Sequence, residues 1–111
     1  MIMTVSELIE KLGLSVIAGK DAGDREITGC YIGDLLSHVM GKAQPGDLWI
    51  TIMNNINIVA VASLCDVAAI LLCEGVQVPE EVIKKAEAQD VVILQSKLTA
   101  FELAGKLRDL L

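Results

Sequence analysis

The sequence predicts an α/β fold, a three-layer α/β/α sandwich around a mainly parallel sheet of 4–5 strands. Three observations carry that prediction. From Leu48 onward, strand-like and helix-like segments alternate regularly. The runs Val67-Ala68-Ala69-Ile70-Leu71-Leu72 and Val91-Val92-Ile93-Leu94 are apolar without alternation, as strands are when helices cover both faces of a parallel sheet. The intervening helical segments open at recognisable caps.

Thr4-Val5-Ser6-Glu7 reads as a capping box, and Val5, Leu8, Ile9 and Leu12 share one helical face, so a helix opens the chain and Gly13 ends it. Leu14 to Ala18 is expected as a strand, residues 19–24 as a polar turn, and Glu26 to Ile32 as a second extended run. Asp34 is placed to cap a short helix reaching Met40, which Gly41 and the Pro45-Gly46 turn close. Leu48 to Met53 is β-branched and aromatic, hence a strand. Asn54 or Asn55 caps a helix to Leu64, and Val67 to Cys73 follows as a strand. Pro79 to Gln89 is a helix, since Pro needs no donor at its start and Glu80-Glu81 face the positive dipole end. After the strand Val91 to Leu94, a second capping box at Thr99-Ala100-Phe101-Glu102 opens the last helix, through Leu110, with Leu103 and Leu107 in its apolar stripe. Without repeat, low-complexity tract or linker, residues 1–111 are expected to form one domain.

The chain has 53% hydrophobic residues and a net charge of −6, with Lys and Arg scattered singly except for Lys84-Lys85. Such a surface offers little to a polyanion, and Tyr31, Trp49 and Phe101 are too few to stack bases, so a nucleic-acid partner is not expected. Apolar stretches are too short to span a membrane, and the N-terminus lacks a secretion signal; a soluble, cytoplasmic protein is expected. Cys30, Cys65 and Cys73 form no C-x-x-C pair and read as small, reduced core residues.

No catalytic template matches. Gly41-Lys42 and Gly105-Lys106 lack the rest of a P-loop, the Asn54-Asn55 turn is not Gly-rich enough for a dinucleotide, and Ser63 is no nucleophile elbow. No catalytic residue, metal or cofactor is therefore expected. His38, four residues after Asp34, is either a general base oriented by that carboxylate or an ordinary exposed pair. Beyond the carboxyl ends of the strands, Asn54, Asn55, Glu74, Ser96 and Lys97 would line a rim suited to a small polar ligand. The alternative is that they are caps, turn residues and a solvated lysine. The helix from Ile56 to Leu64 is apolar nearly all round; either the helix Val5 to Leu12 covers it, or it forms a homodimer interface through Ile56, Val59, Ala60 and Ser63.

The stretch Asp24-Arg25-Glu26-Ile27-Thr28-Gly29-Cys30 resembles the signature of the DRTGG domain family, matching its Asp, Arg, Thr and first Gly, with Cys30 in place of the second. Leu48-Trp49-Ile50-Thr51 and Asn57-Ile58-Val59-Ala60-Val61-Ala62 resemble its second recurring block, so the likeness covers essentially the whole chain. The resemblance implies a fold like the N-terminal domain of HPr kinase/phosphorylase, without the separate P-loop domain that carries kinase activity. It also implies a regulatory or oligomerising role, because members accompany CBS domains in certain pyrophosphatases or phosphotransacetylase domains. Stand-alone members occur near iron-only hydrogenase genes, which points to a redox enzyme as partner. Within the signature, Arg25 reads either as a structural lock or as an anion contact, beside the small hydroxyl of Thr28 and the bare backbone of Gly29, while Cys30 narrows the approach. The expectation is a non-catalytic regulatory or assembly module, homodimeric and accessory to a metabolic or redox enzyme. The alternatives are a sensor of an adenine-nucleotide-like molecule and an enzyme using Asp34 and His38.

Overall fold

The structure, a computed structural model, describes residues 3–20 and 23–111. A two-residue strand β1 (Met3–Thr4) runs into α1 (Val5–Leu12), followed by β2 (Ser15–Ala18), β3 (Glu26–Ile27) and β4 (Gly29–Ile32). Then come α2 (Leu36–Lys42), β5 (Asp47–Thr51), α3 (Asn57–Cys65), β6 (Ala69–Leu72), α4 (Glu80–Ala88), β7 (Ile93–Gln95) and α5 (Ala100–Arg108). The expected turn at residues 19–24 falls partly outside the described residues.

Five strands form the main sheet in the order β2-β7-β6-β5-β4. β4, β5, β6 and β7 are parallel, and β2 joins antiparallel to β7 with a register shift between Val16 and Ala18. Alternate side chains feed two cores. Leu48, Ile50, Leu71 and Leu94 pack with Leu8 of α1 and with Leu103 and Leu107 of α5. Trp49, Ile70, Leu72 and Ile93 pack with Val39 of α2, Ile58 and Val59 of α3 and Val82 of α4. The result is the expected α/β/α sandwich, and β5 and β6 are buried end to end because helices cover both their faces.

Both capping boxes form: Thr4 with Glu7 and Thr99 with Glu102, each hydroxyl accepting the N3 amide while the carboxylate accepts the N-cap amide. These bonds, backbone first, hold both glutamates below their usual carboxylate range. Gly13 ends α1 in the left-handed region at φ +62°.

Four local expectations change. The run Glu26 to Ile32 breaks at Thr28, so that β3 pairs antiparallel with β1 while β4 enters the main sheet. Asp34 does not cap α2; the N-cap is Leu35, without a side-chain bond, because the Asp34 carboxylate is drawn to β5. The apolar α3 is not covered by the helix Val5 to Leu12, which lies on the opposite face of the sheet; α2 and α4 flank it instead. Cys65 and Cys73 are buried, but Cys30 is exposed because its strand is an edge.

Candidate functional site

The signature residues meet at the amino ends of the parallel strands. Asp66 caps α3 in the left-handed region (φ 56°, ψ 42°), its amide donating to the carbonyls of Ala62 and Ser63. Arg25 Nη2 donates to that carbonyl at 2.8 Å, and Nη1 donates to the Asp66 carboxylate at 3.2 Å. The amide of Gly46 donates to the same carbonyl at 3.0 Å, and the amide of Thr28 donates to the carbonyl of Gly46 at 3.0 Å. Gly29 faces the Asp47 carboxylate so closely that a Cβ there would stand 2.6 Å from Oδ1. Asp47 is itself buried and accepts from the amide of Gln44 at 2.8 Å. Arg25, Thr28 and Gly29 thus brace the starts of β4, β5 and β6 as one lock. A depression of about 290 Å³ beside it is lined by Asp66 and Asp90 as well as Arg25, two carboxylates to one guanidinium, which disfavours an anion there.

At the other end of the sheet, the carboxyl ends of the strands are knitted together. Asn54 Nδ2 donates to the carbonyl of Gln77 at 2.8 Å, and Asn55 Oδ1 accepts the amide of Asn57 at 2.9 Å; neither is the expected N-cap of α3, which is Ile56 without a side-chain cap bond, because the Asn54 side chain is drawn to Gln77 and Asn55 lies one residue before the cap. Glu74 (φ 59°) donates its amide to the carbonyl of Leu98 at 2.8 Å, and Gly75 donates to that of Ser96 at 2.9 Å. Ser96 Oγ accepts the amide of Leu98 at 3.1 Å. Of the five rim residues, Ser96 and Lys97 open into one cleft, of about 460 Å³, with Ser15, Gln95 and Lys106. Asn54, Asn55 and Glu74 do not line it, and Arg25, Thr28 and Gly29 lie at the opposite end of the sheet. Sequence reasoning missed Ser15 and Lys106. No local signal places β2 antiparallel beside β7 and so brings Ser15 opposite Gln95.

Asp34 and His38 do not form a dyad. Asp34 Oδ1 accepts from Thr51 Oγ1 at 2.8 Å and from the amide of Ile52 at 3.0 Å, whereas His38 is exposed and its ring makes no hydrogen bond among the described residues. Among those residues no group of three His, Cys, Asp or Glu side chains is placed to hold a metal ion, and no helix is long and apolar enough to cross a membrane.

The family model of the DRTGG domain matches residues 7–110. The chain belongs to the DRTGG domain family. Among solved structures, this DRTGG domain is similar to the CBS and DRTGG domains of the regulatory region of Clostridium perfringens pyrophosphatase, complexed with its activator, diadenosine tetraphosphate. The TM-score is 0.71 at 12% identity, over 91% of this chain and 44% of that one, so the chain spans less than half of its neighbour. No curated protein matches it.

Another concavity of the DRTGG domain is a groove of about 390 Å³ between the edge strand β4 and α5. Cys30 and Ile32 form one wall, and Ala104, Leu107 and Arg108 form the other. Although Cys30 is exposed, the groove walls desolvate its thiol, and with the Asp47 carboxylate as a second cause they push its pKa up to about 11. Ile32 is 47% exposed, and Leu35 beyond it 69%. On α3, by contrast, Val59 is fully buried in its own core and is unavailable to a second copy. The exposed residues there are Ile56, Ala60, Ser63 and Leu64, with Asn57 between them.

Proposed function

We propose that residues 1–111 act as one cytoplasmic regulatory DRTGG module, which works by binding and performs no chemistry of its own. The observation that carries this reading is that the charged side chains nearest the signature and the strand ends are committed to the framework, while the ring of the exposed His38 has no hydrogen-bond partner among the described residues to orient it. Arg25 is held by Asp66, Asp34 by Thr51 and Ile52, and Asp47 by Gln44. These bonds hold the groups in structural roles and leave no nucleophile paired with a base. The regulatory region of the Clostridium perfringens pyrophosphatase, complexed with diadenosine tetraphosphate, supports an adenine-nucleotide-like ligand as the signal this module senses. A metabolic or redox enzyme would receive that signal. Thermal-shift screening against adenine nucleotides tests the reading, since a ligand at 100 times its dissociation constant adds about 2.7 kcal/mol. A shift with at least one nucleotide is expected. No shift with any of them transfers the function to assembly.

Assembly is the second reading, favoured by the open edge of β4 beside the apolar groove. An unpaired, apolar strand edge is a template for a second copy, and antiparallel pairing of two β4 strands would join the sheets about a two-fold axis. Light scattering of the chain and of Ile32→Lys tests it: a dimer that the charge dissociates is expected, and a monomeric parent removes the reading.

A further inference from the structure

We infer that the cleft at the carboxyl end of β7 is an anion site, which holds the phosphate of a small phosphorylated ligand between Lys97 and Lys106. The inference rests on the ligand-sensing reading above and names the site and the chemistry it recognises.

Charge distribution is the first argument. The chain carries a net charge of −6, yet this cleft is lined by two lysines and by no carboxylate. The polar depression at the opposite end of the sheet has the reverse character, lined by Asp66 and Asp90 against the single cation of Arg25. A small anion is therefore attracted to one end of the sheet and repelled from the other. Lys97 and Lys106 make no ion pair among the described residues. The carboxylate one turn back from Lys106, Glu102, is bonded in its capping box with Thr99, and the attraction of Lys106 is the weakest of the causes that act on it.

Donor geometry is the second argument. The hydroxyl of Ser96 accepts the amide of Leu98 and so keeps its own proton for a ligand, and Ser15 is exposed at the mouth of the same cleft. Two ammonium groups and two hydroxyls suit a phosphate, for which lysine serves as a point charge. An adjoining depression of about 350 Å³ shares Leu12 and Lys106 and adds Lys11, Asp109 and Leu110, so that it holds two lysines and one carboxylate. The two depressions give room for a ligand longer than a single phosphate. Leu12 offers the apolar wall for its organic part.

The test is a titration of the ¹⁵N-labelled full chain with inorganic pyrophosphate, with ATP and with adenosine, followed by amide chemical shifts. Pyrophosphate and ATP are expected to perturb Gly13, Ser15, Ser96, Lys97 and Lys106. The exposed double variant Lys97→Ala/Lys106→Ala is expected to lose about tenfold in affinity or more, as is the parent at high salt. The control pair Lys84→Ala/Lys85→Ala on α4 should bind as the parent does. Equal response to pyrophosphate and ATP assigns the site to the phosphate alone; a stronger response to ATP assigns it to a nucleotide. Perturbation centred elsewhere, undiminished binding by the double variant, or no response at millimolar probe overturns the site. Nucleotide binding that maps outside the cleft does so while leaving the sensing reading intact, whereas silence with every probe removes both.

Discussion

Arg25 and Asp66, 41 residues apart in sequence, are joined twice: guanidinium to carbonyl at 2.8 Å and guanidinium to carboxylate at 3.2 Å. The carbonyl bond fixes the left-handed end of α3, and the shared acceptor ties in Gly46 at the turn before β5. Both side chains are partly exposed, so the ion pair itself contributes little. The bond to the carbonyl carries more. Arg25→Ala is expected to lower stability by about 1 kcal/mol, or about 4 °C in melting temperature, while Asp66→Asn costs less because its carbonyl remains. Thermal denaturation of both variants checks the order; equal losses would assign the lock to the carboxylate.

The two glycines beside the lock differ in what a methyl group would do. At Gly46 it would meet the Thr28 hydroxyl at 2.5 Å and also force a φ of +84° on a residue with a Cβ. At Gly29 it would meet only the Asp47 carboxylate, at 2.6 Å. Gly46→Ala should therefore destabilise by about 2 kcal/mol and Gly29→Ala by less, read from urea midpoints.

Asp34 and His38 should separate in the same way. Thr51 is buried, and Asp34→Ala leaves its hydroxyl without the acceptor it now has, which is expected to cost about 1–2 kcal/mol. His38→Gln removes an exposed ring and should leave the melting temperature unchanged. A loss at His38 equal to that at Asp34 would restore the dyad.

Cys30 gives a prediction on the alkaline side. Its thiol titrates at about 11 in the fold, against an ordinary value of 9.0, so the folded chain keeps the proton that the unfolded chain releases. The stability this contributes is fully present below pH 9.0 and is lost as pH rises from there through about 11. Iodoacetamide should label Cys30 slowly at pH 8 despite its exposure, with a rate that climbs toward pH 11. Mass spectrometry of the labelled peptide reads this directly.

On the acid side, Glu7 and Glu102 are held below their ordinary value of 4.5 by their capping boxes. Their contribution is present above pH 4.5 and is lost as pH falls through the lowered values. Helical circular dichroism followed down to pH 2 should show a transition that the pair Glu7→Gln/Glu102→Gln flattens.

The sequence by itself determined the local elements, because each rests on short-range chemistry: the two capping boxes, Gly13 at the end of α1, Pro79 at the head of α4, and the unalternating runs of β6 and β7. It also pointed to the family, through residues 24–30, and offered the lock as one reading of Arg25. Three matters were decided only by tertiary structure. β2 adds antiparallel to β7, a pairing that depends on the whole sheet, and it alone brings Ser15 to Ser96 and Lys97. The partner of Arg25 proved to be Asp66, a residue that nothing near Arg25 in the chain singles out. Most of the apolar surface of α3 is covered by the sheet, α2 and α4, because a helix between two helices on one face of a sheet is covered on three sides, while Ile56 and Leu64 stay exposed on the fourth. Periodicity counts apolar positions around a helix but cannot tell which neighbour will cover them.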